Sequence, residues 1–190
     1  EFPADWAETQ RNLGVAYRNR IRGDQARNLE KAITCYQNAL TIYTREAFPT
    51  EWARTQDNLG VAYRNRIRGD QAQNLEKAIT CYQNALTIRT REDFPTQWAR
   101  TQNNLGAAYR HRIQGDQAQN VEKAITCYQN ALTIRTREDF PTQWARTQNN
   151  LGAAYRHRIQ GDQAQNVEKA ITCYQNALTI RTREDFPTQW

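Results

Sequence analysis

Tryptophan recurs as Trp6, Trp52, Trp98, Trp144 and Trp190, and proline as Pro3, Pro49, Pro95, Pro141 and Pro187. Both series step by 46 residues, so four copies of one unit fill positions 1–184 and six residues open a fifth. A period of this size constrains the chain more than any single motif. A unit this short cannot hide its own apolar surface and must stack on its neighbours. The expected arrangement is a single solenoid over 1–190 with repeats 1–46, 47–92, 93–138 and 139–184, and 185–190 as the start of an incomplete repeat. The last two full copies are identical. The second departs from them at seven positions and the first at eleven.

The third copy, 93–138, serves as the type. Pro95 suits the first turn of a helix, where its missing N–H is not needed, and Asp93 places negative charge near that positive end. Trp98, Leu105, Ala108, Tyr109 and Ile113 recur at helical spacing, so a first helix is expected from Pro95 to Gln114. Gly115 stops it where a positive φ is cheap. Asp116 or Asn120 then caps a second helix, expected from Val121 to Thr136. Val121, Ala124, Ile125, Tyr128, Ala131 and Leu132 form its apolar stripe, which Cys127 and Ile134 widen. Arg135 and Arg137 supply the charge that its C-terminal end favours, and Phe140-Pro141 opens the next unit.

Leu105-Gly106-x-x-Tyr109, Ala124-x-x-x-Tyr128, Ala131 and Pro141 resemble the tetratricopeptide repeat, and the resemblance covers all four copies. It implies an all-α fold, a right-handed superhelix of helix-turn-helix repeats that binds other proteins. Glycine at 106 would let the paired helix approach, with Tyr109 and Tyr128 filling the space beside it. The unit is twelve residues longer than the usual ~34, and Gln102 stands where the family has its tryptophan. The chain is similar to the long-unit arrays of large bacterial signalling proteins.

In such a solenoid the side of the first helix opposite Leu105 lines a concave groove. At ~100° per residue this side carries Arg100, Asn103, Ala107, Arg110 and Gln114, with His111 beside it. Repetition makes ladders of these positions. Arg18, Arg64, Arg110 and Arg156 form the first. Arg54, Arg100 and Arg146 form the second, with Glu8 in the first copy. Arg11, Asp57, Asn103 and Asn149 form the third, and Asn19, Asn65, His111 and His157 the fourth. Arginine grips carboxylates through a planar fork, and asparagine can bind a peptide backbone through donor and acceptor together. The expected ligand is therefore an extended acidic segment of another protein. Of 26 basic residues only four are lysine, and the groove helix has none, a departure from the Lys/Asn/Arg clamp by which some family members hold a C-terminal carboxylate. Ordinary solvated side chains would also satisfy this face.

A net charge of +6 raises a second reading, single-stranded nucleic acid. Groove arginines would recur on the order of 10–20 Å apart, one or two helix diameters, whereas DNA carries a charge every ~1.7 Å. The match is sparse, and the aromatics belong to the buried stripes. Catalysis is not expected: there is no serine, only two histidines and no glycine-rich phosphate loop. No cofactor or metal is expected either. Arg112, at the packed end of the first helix, has Asp116 four residues on and is read as one half of a structural ion pair.

Cys35, Cys81, Cys127 and Cys173 are one position repeated, which points to four equivalent reduced packing residues in an intracellular, cytoplasmic protein. No apolar run approaches the ~18 residues of a membrane span. The lack of methionine, even at position 1, is expected of a piece of a longer protein. Neither end resembles a polar capping repeat. Head-to-tail association through the uncapped ends is therefore expected, with Phe186 and Trp190 the only available cover for the final helix.

Overall fold

The computed structural model describes residues 2–180. Those residues form eight helices and no strand, arranged as four helix-turn-helix repeats. Residue 1 and residues 181–190, including Thr182, Phe186 and Trp190, lie outside the described residues. The chain divides into two compact units, Glu1–Phe94 and Pro95–Trp190. The first holds α1 (Pro3–Asn19), α2 (Gln25–Leu40), α3 (Pro49–Arg64) and α4 (Gln71–Leu86). The second holds α5 (Pro95–Arg110), α6 (Gln117–Leu132), α7 (Pro141–Arg156) and α8 (Gln163–Leu178).

Within each unit the hairpins stack. In the first, α1 pairs with α2, α3 with α4, and α2 packs onto α3. In the second, α5 pairs with α6, α7 with α8, and α6 packs onto α7. The first helices of each unit also touch one another, α1 on α3 and α5 on α7. Among the described residues no such contact joins α2 to α4 or α6 to α8. The first helices therefore line the inner side of each two-repeat stack.

Proline occupies the first turn of α1, α3 and α7, where it breaks no hydrogen bond. Asp116 caps α6, its carboxylate accepting from Gln119 N at 3.1 Å. Because that cap is used, α6 begins at Gln117 rather than Val121. Asn120, the other candidate cap, is buried in the first turn. Its Nδ2 donates to Gln114 O at 2.9 Å. Gly115 sits in the connection with φ +81°, the left-handed region glycine enters freely. The first helix accordingly stops at Arg110, four residues short of the expected end. Ile113, expected on the buried stripe, lies in this connection and is 61% exposed. The second helix also ends earlier, at Leu132, so Arg135 and Arg137 lie past its end.

The core is otherwise where the periodicity puts it. Leu105, Ala108, Tyr109, Val121, Ala124, Ile125, Cys127, Tyr128 and Ala131 are all buried. Trp98, Trp52 and Trp144 are half-buried. The Arg137 guanidinium lies 5.9 Å from the Trp144 ring centroid, and Arg45 lies 6.0 Å from that of Trp52. The tight contact of each hairpin is glycine against tyrosine. A Cβ at Gly106 would stand 2.9 Å from the Tyr128 ring and 3.1 Å from Ala124 O.

Candidate inner-face site

The inner helices carry the ladders, but not every rung reaches solvent. Arg54, Arg100, Arg146, His111, His157, Asn149 and Arg156 are exposed, and Arg18, Arg64 and Arg110 are half-buried. The third ladder is different. Arg11, Asp57 and Asn103 are 3%, 2% and 3% exposed. The cause is the segment after the second helix, which folds back over this face. In the first copy Arg11 pairs with Glu8 at 2.8 Å and lies 5.9 Å from the Tyr43 ring centroid. In the second copy Asp57 lies 3.5 Å from Arg89 Nη1, both side chains buried. Asn103 accepts from Asn150 Nδ2 at 3.1 Å, which ties α5 to α7. Arg135 is buried too and donates to Thr147 Oγ1 at 3.0 Å. Two of the variable positions are thus physical partners: Arg with Tyr in one copy becomes Asp with Arg in the next. Sequence reading placed them on separate elements and missed the pairing.

The exposed rungs gather at two places in the second unit. Arg110, His111, Arg156 and His157 line one open cleft of about 670 Å³, joined by Arg158. Gln117, Ile159 and Gln163 complete its wall, so no carboxylate lines it. Arg110 Nη2 lies 2.8 Å from His111 Nε2. A guanidinium has no acceptor, so a hydrogen bond at this distance runs from Arg110 to the ring. The matching distance from Arg156 to His157 is 3.4 Å. Arg100 lies at the other end of the helix, in a recess of about 220 Å³ that also involves Gln97, Ile134 and Phe140. In the first unit Arg18 donates to Asn58 Oδ1 at 3.4 Å. The ladders read as one stripe therefore separate into two regions along the helix.

The structural arginine has another partner than the expected Asp116-type residue. Arg66 donates through Nε and Nη2 to Glu30 Oε1 and Oε2 at 2.8 and 2.7 Å. Arg158 holds Glu122 the same way at 2.6 and 3.0 Å. Both carboxylates belong to the preceding copy. The third nitrogen of each guanidinium reaches the buried asparagine in the first turn of the following helix, Asn74 or Asn166, at 3.3 Å. The expected partner was four residues away because helical spacing continues only while the helix does, and the helix has ended before Arg112. The Arg66 guanidinium holds the Glu30 carboxyl below the ordinary glutamate range. The four lysines also find a role that sequence reading missed. Each lies over the tyrosine of the Leu-Gly-x-x-Tyr motif in its own repeat, 5.1–5.6 Å from the ring centroid, a cation–π distance.

Cysteine chemistry is suppressed by burial, which pushes the Cys81 and Cys127 thiols up to about 12 and Cys173 to about 11. Among the described residues no group of three or more His, Cys, Asp or Glu is placed to hold a metal, and no helix is long and apolar enough to cross a membrane.

No curated protein matches the chain. Among solved structures it is similar to BtubC (BKLC) from P. vanneervenii, with 23% identity over 94% of this chain and 73% of that one, and a TM-score of 0.64. At that identity the likeness speaks for the fold alone. The family model described as tetratricopeptide repeat matches four times, at residues 6–41, 52–91, 98–138 and 144–184. With four helix pairs, glycine against tyrosine in each hairpin and a matched repeat in every copy, the chain belongs to the tetratricopeptide repeat family.

Proposed function

We propose that the chain is a non-catalytic scaffold whose inner helix face, in each two-repeat unit, binds an extended acidic segment of another protein. Tetratricopeptide repeats generally mediate protein–protein interaction. The acidic ligand is supported by one observation above the rest. Although the chain carries 20 acidic residues, the cleft at Arg110 and Arg156 contains none, while three guanidinium groups border it. Arg18, Arg64 and Arg54 offer the same chemistry in the first unit, and Arg100 and Arg146 at the far end of the second. His111, His157 and Asn149 add hydrogen-bonding capacity. Asn103 contributes indirectly, by anchoring Asn150. The single-stranded nucleic acid reading is weaker, because the tyrosines that could stack on bases are largely buried.

The test is fluorescence anisotropy of a labelled Glu/Asp-rich peptide. Replacing Arg110 and Arg156 together by alanine removes two charge-assisted forks. At ~1.5–3 kcal/mol for hydrogen bonds to a charged group, binding should weaken at least tenfold. Unchanged affinity would refute the reading.

A second reading is favoured by a separate observation: head-to-tail association with a second copy. Each described junction between repeats joins a glutamate and a glutamine of one second helix to the next arginine and tyrosine. Glu30 meets Arg66, and Gln37 Nε2 lies 3.1 Å from Tyr63 OH. Glu122 meets Arg158, and Gln129 Nε2 lies 3.2 Å from Tyr155 OH. Among the described residues the unmatched halves are Glu168 and Gln175 on α8, and Tyr17 and Arg20 at the end of α1. Val167, Ile171 and Leu178 are exposed on α8, and Leu13 is exposed on α1.

A further inference from the structure

Building on the acidic-segment reading, we infer that the cleft between the Arg110/His111 and Arg156/His157 rungs receives a phosphorylated side chain of that segment rather than a carboxylate. The acids nearest the cleft are already engaged. Asp116 and Asp162, the nearest acids in sequence, cap their own helices at 3.1 and 3.2 Å. Each cap accepts one first-turn N–H of its own helix, so both carboxylates are engaged locally. Arg158 is held by Glu122 and Asn166. Arg110 and Arg156 are not tied to a carboxylate; each lies against the histidine that follows it. Two forks, on α5 and α7, therefore border one space of about 670 Å³.

A carboxylate presents two oxygens in one plane, which match a single planar fork. A phosphomonoester has three oxygens and about −1.5 to −2 charges, enough to engage both rungs at once. The histidines fit the same ligand. They replace Asn19 and Asn65 of the first two copies, and a protonated imidazole adds positive charge beside a dianion, whereas an amide stays neutral. The lining has no tyrosine or tryptophan, which leaves nucleic acid without a stacking surface.

The chain has two histidines and both line this cleft, so their imidazole NMR signals report on it directly. The full chain is titrated with a Gly/Ala-flanked phosphothreonine peptide, its glutamate counterpart, inorganic phosphate and oligouridylate. Both ring signals should shift with the phosphopeptide, and its affinity should exceed that of the glutamate peptide by about tenfold, one factor of ten in Kd. The double variant His111→Asn/His157→Asn, which installs the residue of the first two copies, should erase that preference. Ring signals that stay fixed to about 10 mM phosphopeptide, weak even on the millimolar scale, would overturn the inference. So would equal affinity for the two peptides, which would leave the acidic-groove reading standing. Response to inorganic phosphate without the phosphopeptide would mean a free-anion site and overturn the peptide assignment. Tighter, steeply salt-dependent binding of oligouridylate would make nucleic acid the occupant. Loss of both peptides alike would sink the groove reading with it.

Discussion

Gly60 and Tyr82 show how little freedom single positions have in this repeat. A Cβ at Gly60 would stand 2.7 Å from Tyr82 Cε1, and Tyr82 is fully buried, so its ring cannot swing into solvent. Gly60→Ala is expected to destabilise the first unit by ~1–3 kcal/mol, the usual cost of overpacking, read as a lower urea midpoint. Removing the Tyr82 hydroxyl should do the opposite. It is buried with no hydrogen-bond partner among the described residues, and burial pushes its ionisation well above the ordinary tyrosine range. Tyr82→Phe keeps the ring and deletes an unsatisfied polar group, so stability should hold or rise by up to ~1 kcal/mol. A loss larger than that would mean the hydroxyl has a partner. Glycine opposite tyrosine was legible in the sequence, since Leu-Gly-x-x-Tyr and Ala-x-x-x-Tyr fix both faces. The buried pairings of Arg11 with Tyr43 and Asp57 with Arg89 were not. Each joins a helix to a segment beyond the next helix, and helical periodicity says nothing about where such a segment returns.

At the scale of elements, the joint between consecutive hairpins rests on an apolar seam and one bidentate ion pair. Arg66 and Glu30 are each about a quarter exposed, so solvent screens the pair and its worth is discounted to ~1 kcal/mol. Glu30→Gln should lower the unfolding midpoint of the first unit by that amount. Arg20→Ala should change nothing within a monomer, because no described second helix precedes α1 to supply its carboxylate. The sign of the pH dependence follows from the depressed Glu30 carboxyl. A folded-state pKa below the unfolded value contributes stability that is present above the unfolded pKa and fades as pH falls through the folded one. Wild type should therefore lose its advantage over Glu30→Gln on acidification below about pH 4.5, and an advantage that persists at pH 2 would exclude the pair as its source. The helix types and their starting proline were readable from sequence. Their ends were not. The apolar period runs on to Ile113, but the Asp116 cap and the positive φ of Gly115 fix an extended connection that cuts the helix at Arg110.

For the whole molecule, the period of 46 dictated repeats, and the repeats dictated which surfaces remain uncovered. Val121 and Ile125 of α6 are 1% and 5% exposed, yet their equivalents Val167 and Ile171 on α8 are 41% and 42% exposed. Leu59 is 5% exposed on α3, and its equivalent Leu13 on α1 is 42% exposed. The same side chains are buried inside a unit and open at these two helices, and the Arg–Glu and Tyr–Gln halves that accompany them are complementary in charge and hydrogen bonding. A second copy brought α1-to-α8 would restore the junction already formed by α2 with α3 and by α6 with α7. Such a contact is heterologous, so its repetition generates rings or open filaments. Light scattering should show mass rising with concentration. Arg20→Glu opposes Glu168 of the next copy and should weaken association about tenfold or more, since like charges face each other across a partly desolvated contact. Glu168→Arg alone should do the same by facing Arg20. Combining both reverses the pair and should restore association. A strict monomer at high concentration would rule out the contact. Single charge reversals without effect would rule out this register of it, because the apolar seam by itself does not require Arg20 to meet Glu168.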